Sequence, residues 1–116
     1  MDTSNMKVST ALKKAKKLIN TPNKWVKGAL TKGNKHCAIG AVLTAVPNPI
    51  PGIYDPQTEQ FRRHMRQLLN AALPSERNHN SVMMFNDEYD TKHRDVMDLF
   101  DMAITFAELN EEESEK

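Results

Sequence analysis

The sequence predicts an all-α fold, a compact domain of four helices with one of them buried at the centre and at most a minor short strand pair beside them. Three observations predict it. The stretch His36–Val46 carries no charge after His36 and presents no polar face at helical spacing. A helix apolar all round has to be enclosed, and Cys37–Val46 is too short to span a bilayer. Three other segments repeat apolar residues at helical spacing. Finally, 116 residues with a single cysteine make one domain that can bury a core without disulfides. The expected organisation is one helical domain over residues 1–109 and an acidic, disordered tail over residues 110–116.

The first helix rests on Val8, Leu12, Ala15, Leu18 and Ile19, which share one face. Ser4 or Asn5 could cap a longer version, and Asn20–Thr21–Pro22 ends it, since a residue before proline avoids helix. Lys13, Lys14, Lys16 and Lys17 fall mostly on the outer side, as a solvated face or as a contact for phosphate or an acidic protein. Trp25–Leu30 reads as a short irregular connection with Trp25 anchored in the core; a short helix or strand remains open. Lys32–Gly33–Asn34 is a turn by composition.

The central helix follows. Gly40 inside it costs roughly 1 kcal/mol relative to alanine, and close approach by another backbone would compensate. Pro47–Asn48–Pro49–Ile50–Pro51–Gly52 is then an extended linker, because three alternating prolines suit neither a helix interior nor a central strand. Asp55–Pro56 opens the best-defined helix: Asp is a favoured N-cap, and Pro fits the first helical position. Phe61, Met65, Leu68, Leu69, Ala72 and Leu73 form its stripe, and Pro74 ends it. Ser75–Asn80 reads as an exposed loop. Val82–Met83–Met84–Phe85 is a buried strand-like segment or one helical turn. The last helix starts at Asp90 or Thr91, with Val96, Leu99, Phe100, Ala103, Ile104 and Ala107 inward and Asp95, Asp98 and Asp101 outward.

Charge is nearly balanced but unevenly laid out. Thr3–Tyr54 holds nine lysines, no arginine and no acid. Ser81–Lys116 holds eleven acids against Lys92, Arg94 and Lys116. Either the two ends lie side by side and offset each other, or a charged surface is left for a partner. The lone Cys37 suits a reducing compartment. The first residues lack the pattern of a signal peptide, so a cytoplasmic protein with no membrane span is expected.

Chemistry has few candidates. Cys37 would stand at a helix start, where backbone N–H groups favour a thiolate. A nucleophile also needs a base; His64 or His93, oriented by Asn86 or Asp87, could supply one. A buried, inert thiol is the alternative. His36, His64, His79 and His93 show no paired metal-ligand spacing. Asp87, Glu88, Asp90 and Thr91 lack the glycine and closing glutamate of an EF-hand. No phosphate loop, dinucleotide fingerprint or nucleophile elbow is present. No catalytic residue, metal or cofactor is assigned. Trp25, Cys37, Asn86, Asp87 and His93 form a candidate pocket.

Three pieces in order, Trp25–x–x–Gly28–Ala29, Cys37–Ala38–x–Gly40–Ala41 and Phe85–Asn86–Asp87, resemble a family of small bacterial and phage proteins known as a domain of unknown function. Phe85 stands where family members commonly have Trp. The resemblance covers roughly residues 8–107 and implies no activity. It implies a phage or mobile-element origin, transfers no catalytic role, and makes Cys37 and Asn86–Asp87 a set to be tested together. The function expected is that of a non-enzymatic binding protein acting through a charged surface, plausible as a phage-encoded inhibitor of a host defence or nucleic-acid-processing protein. Asp95, Asp98 and Asp101 would be its acidic contact and Lys13, Lys14, Lys16 and Lys17 its basic one. The alternatives are a nucleic-acid-binding module using the lysine-rich first helix, and a small enzyme or ligand pocket around Cys37, His64 or His93, and Asn86–Asp87.

Overall fold

The computed structural model describes residues 6–75 and 81–114. The proposed caps Ser4 and Asn5, the loop residues 76–80 with His79, and residues 115–116 lie outside the described residues. In chain order the elements are α1 (Val8–Leu18), a 3-10 turn (Pro22–Lys24), β1 (Thr31–Lys32), β2 (Lys35–His36), α2 (Ala38–Ala45), α3 (Pro56–Ala71), α4 (Val82–Asp87) and α5 (His93–Ser114). The fold is all-α with one small antiparallel strand pair, in which Thr31 faces His36 and Lys32 faces Lys35. Val82–Asp87 takes the helical option and adds a fifth, short α-helix among the described residues. Among the described residues no helix is long and apolar enough to cross a membrane.

Helix α1 packs against α2 and α5, and α3 against α5. Leu12, Ile19, Val42, Met65, Leu69, Phe85 and Phe100 are fully buried between them. Each such side chain contributes about 1.5–3 kcal/mol by leaving water. The central helix is less enclosed than its composition implies. Ala38, Gly40, Ala41, Val42 and Ala45 are buried, but Thr44 is exposed and Ile39 and Leu43 are half-covered. Ile39 and Leu43 stand four apart on one side, where they border a cleft. The close backbone approach expected at Gly40 is present. Leu30 passes over it, and a Cβ at Gly40 would collide with the Leu30 carbonyl oxygen and lie 2.8 Å from its carbon.

Helix ends are satisfied by near and distant groups. Asp55 caps α3 by accepting from the Thr58 N–H at 2.9 Å, and Ser81 caps α4 through the Met84 N–H at 3.2 Å. Helix α1 has no side-chain cap of its own. Glu111 supplies one from α5: its carboxylate accepts from the Ser9 N–H at 3.0 Å and the Ser9 hydroxyl at 2.6 Å. This corrects the expectation of a disordered tail from Asn110. The helix continues to Ser114 because an acid in the supposed tail is held by the N-terminus of another helix. Helix α2 lacks a basic residue in its last turn. Arg62 of α3 serves instead, donating to the carbonyls of Val46 at 2.7 Å and Leu43 at 3.3 Å.

Candidate functional site

The three sequence pieces meet at Asn86. Helix α4 is short, and its Ser81 cap fixes the register that turns Asn86 inward, where it is fully buried. Its Oδ1 accepts from the Trp25 indole N–H at 2.7 Å and from the Ala38 N–H at 3.0 Å. Its Nδ2 donates to the Val26 carbonyl at 3.1 Å and to Asp87 Oδ1 at 2.9 Å. An amide side chain has two acceptor and two donor positions, and all four are used. Asp87 also accepts from the Gly28 N–H at 2.9 Å. One side chain thus ties the segment after the 3-10 turn, the first turn of α2 and the end of α4. Backbone groups that would otherwise be buried unpaired are satisfied.

The rest of the candidate pocket is equally committed. Cys37 is 2% exposed, and its N–H donates to the Leu30 carbonyl at 3.1 Å. Its sulfur accepts from the Gly40 N–H at 3.3 Å and acts as the N-cap of α2. His93 lies against Trp25 with ring centroids 5.9 Å apart. Its Nε2 meets the Ile19 carbonyl at 2.7 Å. A carbonyl only accepts, so the proton sits on Nε2. His36 pairs through Nδ1 with the Thr31 hydroxyl at 2.9 Å. His64 borders a different cleft, with Met6, Val8, Leu68 and Ala107. The structure therefore brings Trp25, Asn86, Asp87 and His93 into one neighbourhood, with Cys37 next to Ala38. Among the described residues no imidazole is hydrogen-bonded to the Cys37 thiol: His93 is engaged with Ile19 and His36 with Thr31, and His64 lines the other cleft. Among the described residues no three His, Cys, Asp or Glu side chains gather where they could hold a metal ion.

The charged faces predicted on α1 and α5 answer each other in part. Lys13 reaches Glu108 at 3.1 Å, and Lys16 reaches Asp101 at 2.5 Å. Lys14 is half-buried and Lys17 exposed. Asp95 accepts from the Lys92 N–H at 2.8 Å, closing the first turn of α5. Asp98 is exposed at the rim of a cleft between Pro74, Phe85, Leu99 and Met102. Asp95 lines the same cleft as Asp98, whereas Asp101 is paired with Lys16.

Sequence reasoning missed several positions. Lys27 donates to the Glu88 carbonyl at 2.6 Å and the Tyr89 carbonyl at 3.3 Å, and its ammonium lies 5.5 Å from the Trp25 ring centre. Its place in a lysine-rich run disguises it as another solvated charge. Glu59 binds Arg66 at 2.8 Å beside a cleft of about 540 Å³ walled by Leu30, Ile39, Leu43, Val82 and Met83. The Arg66 hydrogen bond holds the Glu59 carboxyl below its ordinary value, against the opposing effect of burial. The Glu59–Arg66 spacing of seven could have signalled two side chains on one helix face.

Fold and site together define a small helical domain whose irregular middle is locked by a buried asparagine. The chain belongs to DUF6197, a family of unknown function, whose profile matches residues 3–106. That span takes in Trp25, Cys37 and Asn86–Asp87. The comparisons with curated proteins and with solved structures gave no match.

Proposed function

We propose that the chain is a non-enzymatic binding protein that acts through its charged exterior. The saturation of Asn86 carries this reading: the polar residues most suggestive of a site are consumed in holding the fold. The buried, capping Cys37 supports it too, since a nucleophile needs access and a base. The charges on α1 that pair with α5 contribute little to stability in water and less still to a partner. Binding then falls to charges that have no internal counterpart. A host protein is the partner class, and a phage-encoded inhibitor of a host defence or nucleic-acid-processing protein is the specific form of the reading.

The test is a pulldown from bacterial lysate with the full chain at low and high salt. The reading expects a discrete partner retained at low salt and lost at high salt. Capture of nothing above background by the folded protein, or turnover traced to Cys37, would sink it.

A further inference from the structure

We propose that Lys24, Lys35 and Lys32 form a phosphate-contacting row that docks the backbone of a nucleic acid; this goes beyond the protein-binding reading and stands apart from it. The row exists only in the folded chain. Antiparallel pairing sets Lys32 opposite Lys35 across a two-residue turn, with Gly33 at φ +64° in the left-handed conformation such turns require. On the other side of Lys35, a parallel bridge joins Trp25 to His36. The 3-10 turn ending at Lys24 packs on β2. Parallel pairing places the residues preceding a bridge alongside each other, so Lys24 lies beside Lys35. Lys32 and Lys35 therefore occupy strand lanes about 4.8 Å apart, with Lys24 next to Lys35 at the end of the 3-10 turn.

Strand alternation separates this row from the polar joint. Trp25, His36 and Thr31 make the neighbouring row, and Trp25 faces Asn86. Within the strand pair, Lys32 and Lys35 stand one residue from Thr31 and His36, so their side chains point to the opposite face. Asp87 is bound to Gly28 and Asn86 on the Trp25 side. Lys24, Lys32 and Lys35 are exposed, and among the described residues none of their ammonium groups makes a hydrogen bond or ion pair. Like charges directly opposite in a strand pair are unfavourable. A bound anion removes that repulsion.

The chemistry of the row favours phosphate over a protein face. Protein interfaces draw their affinity from buried aromatic and arginine anchors and are depleted in lysine. The hairpin itself holds Thr31, Gly33 and Asn34 beside its two lysines, with no arginine or aromatic residue from Thr31 to Lys35. Lysine is a flexible point charge that tolerates irregular phosphate spacing. A two-stranded ribbon is also narrow enough to approach a duplex groove.

The experiment is a fluorescence-anisotropy titration of the full chain against a labelled DNA duplex of random sequence, from about 25 to 200 mM salt. Three phosphate contacts predict a log–log salt slope of about −2.7, an affinity loss of about 40-fold between 50 and 200 mM salt. K24Q/K32Q/K35Q should abolish that binding with unchanged circular dichroism, and K24R/K32R/K35R should retain it. No binding at the lowest salt, equal binding by the glutamine variant, or equally effective competition by polyglutamate would each overturn the assignment. The last would point to an acidic protein instead. A lysate partner still captured after any of these results leaves the binding reading standing and removes only the nucleic acid.

Discussion

The indole N–H of Trp25 donates to Asn86 Oδ1 at 2.7 Å across 61 residues of sequence. The same oxygen accepts the Ala38 N–H, so one atom fixes both the entry to the strand pair and the start of α2. Asn86→Ala leaves the Trp25 and Ala38 donors and the Val26 carbonyl without that partner. Each unsatisfied buried group costs about 1–3 kcal/mol, so a loss of about 3 kcal/mol in urea-unfolding stability is expected. Trp25, the one tryptophan, reports it directly: its emission should move to longer wavelength before denaturant is added. Unchanged emission and midpoint would mean that the joint is dispensable.

At Gly40 two effects oppose each other. Alanine gains about 1 kcal/mol in helix propensity. Its Cβ would also strike the Leu30 carbonyl, and overpacking of this kind costs about 1–3 kcal/mol. Backbone is the obstacle rather than a flexible side-chain tip, so the collision should win. Gly40→Ala is expected to lower Tm. Gly28→Ala has open space around the new methyl but a φ of +80°. It should cost about 1–2 kcal/mol from backbone conformation alone. A rise in Tm for Gly40→Ala would show that the Leu30 segment yields easily.

Cys37 distinguishes a structural cap from a reactive group. Cys37→Ser keeps an acceptor for the Gly40 N–H and places a favoured N-cap residue there. Stability within about 1 kcal/mol of the parent is expected. Reaction of the native thiol with Ellman's reagent should be slow and should accelerate in step with unfolding in urea. Rapid stoichiometric labelling of the folded protein would reopen the enzyme reading.

Acid stability depends on two carboxyls at the start of α3, its N-cap Asp55 and first-turn Glu59. Glu59 is held below its ordinary value by Arg66, and Asp55 by the Thr58 hydroxyl and N–H. The unfolded chain therefore binds these protons more tightly than the folded one. Their stabilising effect is complete above the ordinary carboxylate range, about pH 5 and higher, and is lost as pH falls through the folded-state values. Glu59→Gln should flatten the decline of the urea midpoint below about pH 5 and lower the midpoint at pH 7. A decline as steep as that of the parent protein would remove Glu59 from this account.

The sequence alone determined the apolar faces of α1, α3 and α5, the Asp55–Pro56 start of α3 and the need for a close neighbour at Gly40. Each is written in local spacing or in the conformational limits of one residue. Tertiary structure decided what no periodicity encodes. The acidic end became a helix because Glu111 met Ser9, 102 residues away. The α1 lysines were partly neutralised by α5. Asn86 and Asp87, legible only as a turn or a pocket edge, became a lock when folding delivered three backbone segments to them. Hydrogen-bond partners and charge pairs depend on distance in space, and packing of the helices sets those distances. The lysine row is the same case: Lys24, Lys32 and Lys35 are separated in the chain, and the strand pair together with the Trp25–His36 bridge brings them side by side.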